Sequence, residues 1–224
     1  MKSLLSVILL SITFTFYAQN PLDKNVGDFN EVKVYDLIEV NLIKSNENKV
    51  VITGDDVEDV EVFNKDKKLK IRMKFDKIFN GTKTFVAVHY TTLNIIDGNE
   101  GAFITSNEMI EQDYIELKAQ EGARLKIGLD VNKVDVKAVS GGIIETRGKC
   151  NSQEINLNTG GIYEGQAFET LTTNVSIKAA GEADVYASNT VNAKVRAGGD
   201  INIYGHPTTV NQNTAFGGRI KRME

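Results

Sequence analysis

Apolar and polar residues alternate along most of the chain. Val32 and Val34, Val60 and Val62, Leu69 and Ile71, Val86 and Val88, Ile115 and Leu117, Val134 and Val136, Ile155 and Leu157, and Val175 and Ile177 each stand two apart with a polar or small residue between. A period of two carried largely by β-branched residues predicts strands with one buried face, and no segment beyond the N-terminal apolar run shows the pattern of a long helix. Pro21 and Pro207 are the only prolines and lie near the two ends, where neither breaks a central strand.

A longer period overlies this alternation. Gly141-Gly142, Gly160-Gly161, Gly198-Gly199 and Gly217-Gly218 recur, and Ala180-Gly181 fills the missing place. The second members, Gly142, Gly161, Gly181, Gly199 and Gly218, are 19, 20, 18 and 19 residues apart. A fixed spacing near twenty marks stacked repeats. Two and four residues after these glycines come Ile144 and Thr146, Tyr163 and Gly165, Ala183 and Val185, and Ile201 and Ile203, a column fit for an interior. Three after them come Glu145, Glu164, Asp184 and Asn202, and five after them Arg147, Gln166, Tyr186 and Tyr204, columns fit for an exterior. A further outward column on the preceding strand reads Lys118, Lys137, Asn158, Lys178 and Arg196.

Strands repeating at this interval predict an all-β, right-handed parallel β-solenoid with about 18–21 residues per coil in the C-terminal half. The glycine pairs mark tight turns, where positive φ and the closeness of neighbouring coils leave little room for a Cβ. A leucine-rich repeat has a similar period, but its leucine framework is missing. Residues 28–221 read as one solenoid domain, with irregular strands and charged turns over 28–97 and regular repeats over 98–221. Asn80-Gly81 is the strongest short hairpin signal. Lys2, the apolar run from Leu4 to Phe16 and the Tyr17-Ala18-Gln19 ending read as a secretory signal peptide over residues 1–18, followed by a short extension over 19–27.

Composition narrows the function classes. A net charge of −4 argues against a nucleic-acid partner. The single Cys150 permits no intramolecular disulfide and reads as a buried or corner residue, and two histidines, His89 and His206, cannot build a multi-histidine metal site. No nucleophile-elbow motif and no cofactor motif occurs. Two constellations remain. Glu145, Glu164 and Asp184 form an acidic column that reads first as a solvated face, then as a cation or sugar contact, and last as the carboxylates of a glycan-cleaving enzyme. Tyr186 and Tyr204 beside Asp184 and Asn202 would let a sugar stack on the rings while the polar neighbours take its hydroxyls, although a tyrosine ladder also stabilises strands.

Asp28-Phe29-Asn30-Glu31-Val32, followed by short strands and then Ser140-Gly141-Gly142, Thr159-Gly160-Gly161, Ala197-Gly198-Gly199, Tyr204-Gly205-His206-Pro207 and Phe216-Gly217-Gly218, resembles the head GIN domain family over residues 28–221. That family is described as a putative auto-transporter adhesin head found in exported proteins of Bacteroidetes-type bacteria. The resemblance implies a β-solenoid without catalytic residues to carry over. Together these readings lead to the expectation of a non-enzymatic, exported binding module of the cell envelope, located in the periplasm, at the outer membrane or outside the cell. Its expected partner is an envelope polysaccharide or a surface protein, with no cofactor. The alternatives are a polysaccharide-active β-helix enzyme using the acidic ladder, and a purely structural envelope protein.

Overall fold

The computed structural model describes residues 21–223, so the signal peptide expected over residues 1–18 lies outside the described residues. The strands are β1 (Leu22–Asn25), β2 (Glu31–Val34), β3 (Glu39–Lys44), β4 (Lys49–Gly54), β5 (Val60–Lys65), β6 (Lys68–Met73), β7 (Thr84–Tyr90), β8 (Ile95–Gly98) and β9 (Phe103–Ala119). They continue as β10 (Arg124–Val139), β11 (Ile143–Asn158), β12 (Gly161–Gly165), β13 (Phe168–Ile177), β14 (Gly181–Tyr186), β15 (Thr190–Val195), β16 (Asp200–Tyr204), β17 (Thr209–Thr214) and β18 (Arg219–Arg222). Only three short 3-10 turns, Val57–Asp59, Phe75–Lys77 and Gly81–Lys83, interrupt the β-structure of the described residues.

From β8 onward the chain winds as a parallel solenoid of two faces. The first face stacks β3, β9, β10, β11, β12, β14, β16 and β18, and the second stacks β2, β8, the later halves of β9, β10 and β11, then β13, β15 and β17. Register partners such as Phe103 and Arg124, Arg124 and Ile143, Ile143 and Ile162, Gly161 and Gly181, Glu182 and Asp200, and Asp200 and Arg219 give coils of 18 to 21 residues. The longest interval is taken up by an irregularity between Lys126 and Gly128. Because the coils are in register, the inward column Ile104, Leu125, Ile144, Tyr163, Ala183 and Ile201 becomes a continuous buried stripe. Its core runs without a break from Phe29 to Ile203.

Residues 28–97 are irregular because they close the end of this stack. β6 and β7 extend the stack in parallel beyond β2 and β3 at its N-terminal end, but β5 then pairs antiparallel with β6, β4 with β7 and β1 with β4. Antiparallel strands finish the exposed end of the core as a terminal cap. The hairpin expected at Asn80-Gly81 is not formed: β6 and β7 do not pair, and Gly81 begins a 3-10 turn. Its glycine is needed for space, since a Cβ would stand 2.3 Å from the Asp36 carbonyl oxygen. The hairpin actually present joins β5 to β6 through Asp66 and Lys67, both at positive φ.

Candidate binding face

β11, β12, β14 and β16 bring the predicted outward column together. Glu145 stands in register with Glu164, Glu164 with Asp184 and Asp184 with Asn202. The upper half of this column is neutralised by bases from the coil above it: Arg124 reaches Glu145 at 3.3 Å and Glu164 at 2.9 Å, and Lys126 reaches Glu145 at 2.9 Å. Partial burial pushes the Glu145 carboxyl up, but the hydrogen bonds and charges of Lys126 and Arg124 outweigh it and leave the group below its ordinary range. Arg124 was hidden from the sequence because its coil opens on Gly122-Ala123 in place of a glycine pair.

The lower half is different in chemistry. The Asn202 amide donates to the Asp184 carboxylate at 2.9 Å, and both residues are partly exposed. Tyr186 and Tyr204 are register partners on the same face, both half-buried. The Tyr186 ring lies across the adjacent coil, where a Cβ on Gly205 would come within 2.7 Å of it. Partial burial, then the charges of Asp184 and Glu182, push the Tyr204 hydroxyl up, so it is a neutral hydrogen-bond donor at physiological pH.

Tyr186 also reaches the second corner, where the chain passes from one face to the other. There it joins Gln112, Asn132, Lys149, Asn151 and Ser188 in an open groove of about 570 Å³. Asn151 donates to Asn132 across coils at 2.7 Å, and Lys149 pairs with Asp130 at 3.2 Å. Cys150 sits at the bottom of the corner, 5% exposed, with its thiol pushed up by burial and directed at the Ser152 and Asn132 carbonyls. Beneath the groove runs a buried polar chain: Tyr163 hydroxyl to Thr146 and to Gln153, Gln153 to Thr173, and Thr173 to Thr170, which donates to the Tyr186 carbonyl at 2.5 Å. This network fixes the backbone that carries Tyr186. Apart from Tyr186 and Cys150, the groove residues were not singled out in the sequence, although the interval of 19 between Asn132 and Asn151 was a usable signal.

The basic column is redistributed. Lys118 and Lys137 align with Asn156, Ser176 and Lys194, whereas Asn158, Lys178 and Arg196 belong two residues further along. Next to the first set the second face carries an amide ladder, with Asn211 donating to Asn192 at 2.9 Å and Asn192 to Asn174 at 2.7 Å. Among the described residues no group of three or more His, Cys, Asp or Glu is arranged to hold a metal ion.

Three crystal structures share this architecture. A putative adhesin from Bacteroides fragilis NCTC 9343 superposes with a TM-score of 0.84 at 21% identity, covering 91% of this chain and 96% of its own. A putative adhesin from Parabacteroides distasonis ATCC 8503 gives 0.72 at 19% identity over 91% of this chain and 96% of its own. A putative lipid binding protein from the same strain gives 0.70 at 16% identity over 92% and 96%. At these identities the likeness is one of fold. No curated protein matches the chain by sequence. The profile of the family described as putative auto-transporter adhesin, head GIN domain, matches residues 28–207, and the chain belongs to that family.

Proposed function

We propose that the protein is an exported, non-enzymatic binding module of the cell envelope, and that its ligand is a saccharide held on the face of Asp184, Tyr186, Asn202 and Tyr204. The observation that carries this reading is the register of Tyr186 with Tyr204 beside the hydrogen-bonded Asp184 and Asn202 pair. Two ring faces one coil apart suit the apolar face of a pyranose chain, and the amide and carboxylate offer partners for its hydroxyls. The adjoining corner groove adds further amides from Asn132 and Asn151. The adhesin descriptions of the family and of its structural relatives agree with a binding role.

Catalysis by the acidic column has less support. A general acid needs a carboxyl with a raised pKa, and Glu145 is held low by Lys126 and Arg124. Tyr204→Ala should weaken retention of the protein on envelope polysaccharide about tenfold with an unchanged melting curve. Tyr186→Ala should weaken it similarly, with a small loss of stability from its packing against Gly205. Glu145→Gln should leave retention unchanged. Unaltered retention in both tyrosine variants rejects this face, and reducing-sugar release by the parent protein rejects the non-enzymatic reading.

A further inference from the structure

The strongest concentration of unexplained surface lies on the capping end, far from the tyrosines. Residues 63–79 hold seven Lys or Arg against two Asp, a local charge of +5 within a chain of net charge −4. In the same stretch Phe63, Phe75, Ile78 and Phe79 are 46%, 87%, 40% and 56% exposed. Phe63, Phe75 and Ile78 wall an open groove of about 1280 Å³, floored by Lys68, Lys70 and Arg72 on the outer side of β6. Large apolar side chains gathered in this way on a soluble surface mark an interaction site.

The segment is presented rigidly. Asp36, 3% exposed, accepts the Met73 amide at 3.0 Å and the Phe79 amide at 3.2 Å on its two carboxylate oxygens, and its own carbonyl accepts the Gly81 amide at 3.1 Å. These bonds pin both ends of the turn that projects Phe75. Four of its bases are paired with carboxylates outside the segment, Lys68 with Glu31, Arg72 with Glu61, and Lys74 and Lys77 with Asp59, while Asp66 and Glu100 on the groove and the nearby Asp76 form no ion pair among the described residues. Lys65, Lys67 and Lys70 are exposed and form no ion pair among the described residues.

We infer that this cap docks on the surface of an anionic lipid bilayer, with Phe75, Ile78 and Phe79 entering the interface and Lys65, Lys67 and Lys70 contacting the headgroups. The three unpaired lysines beside Phe75, Ile78 and Phe79 favour an anionic surface over a neutral one, and aromatic tips flanked by lysines suit the shallow depth at which interfacial segments lie. Six coil steps separate β7 from β14, about 29 Å at about 4.8 Å per coil, so the tyrosine face lies well removed along the stack from the docking cap.

The test is flotation of the chain from Gln19 onward with vesicles of phosphatidylcholine alone or mixed with phosphatidylglycerol, at low and high salt. The parent should float with the anionic vesicles at low salt only. Phe75→Ser with Ile78→Ser, and separately Lys67→Glu with Lys70→Glu, should each lower the bound fraction about tenfold at an unchanged melting temperature. Tyr204→Ala should float like the parent, which separates this site from the saccharide face. Failure of the parent to float overturns the inference. Full binding by the Phe75 and Ile78 double variant also overturns it, since the apolar tips would then take no part in holding the cap to the bilayer.

Discussion

Gly160 and Gly161 are neighbours under different constraints. Gly160 sits at φ 76° with nothing within 4 Å of a prospective Cβ, and the preceding Thr159 already adopts φ 51°. Its demand is conformational, and a left-handed L-residue costs about 1–2 kcal/mol. Gly161 has no positive φ, but a Cβ there would lie 2.1 Å from the Ala138 carbonyl oxygen of the previous coil. Backbone cannot yield as a side chain can. Gly160→Ala should therefore cost about 1 kcal/mol and Gly161→Ala roughly 2–4 kcal/mol in denaturant unfolding. The reverse order would show that the turn is limited by conformation rather than by coil spacing. Sequence spacing located all five second glycines, but only the coordinates separate the two causes. Gly181 and Gly199 combine both, with φ of 146° and 118° and a neighbouring carbonyl oxygen within 2.9 Å of the prospective Cβ.

At the scale of strands, the two ends of the stack are finished differently. The N-terminal end is covered by the antiparallel β4, β1 and β5, whereas the other end stops at β17 and β18, whose inward positions turn polar at Gln212, Thr214 and Arg222. Val210 and Ile220 alone keep partial burial there. Removing residues 208–224 would uncover Val191, Ala193, Val195, Ile201 and Ile203, all now buried, along with unpaired edges of β15 and β16. The shortened chain should aggregate on light scattering at concentrations where the full chain stays monodisperse; an equally soluble product would mean the last coil does not protect the core. The first-face columns were legible because each starts at a fixed distance from a glycine. The lysine column was not, since distances counted back from the turn allow a two-residue slip. An even offset keeps side chains on the same side of the strand, and polarity could not expose the error. The cap was illegible for another reason: antiparallel closing strands share the two-residue period of the coils they cover.

Ionisation of buried tyrosine links the stability of the whole stack to alkaline pH. Tyr90 on β7, 3% exposed, is pushed up to about 12 by burial and then by the charge of Glu108. Tyr163, fully buried on β12, is pushed up further by burial, offset in part by its bond to Thr146. Each group binds its proton more tightly in the folded chain. Its contribution is therefore complete below the ordinary tyrosine value of 10.0 and is lost as pH rises through 12. Tyr90 alone is worth on the order of 2–3 kcal/mol across that window. Without tryptophan, tyrosinate absorbance follows these groups directly. The buried Tyr90 and Tyr163 should titrate only as the coils unfold, with urea midpoints falling between pH 10 and pH 12. Tyr163→Phe sharpens the test. It strands Thr146 and Gln153 and so should be less stable at neutral pH, yet it should lose less stability over the alkaline window, because one buried proton-binding site is gone. A parallel alkaline loss in both proteins would mean that Tyr163 ionises as freely in the folded stack as in the unfolded chain.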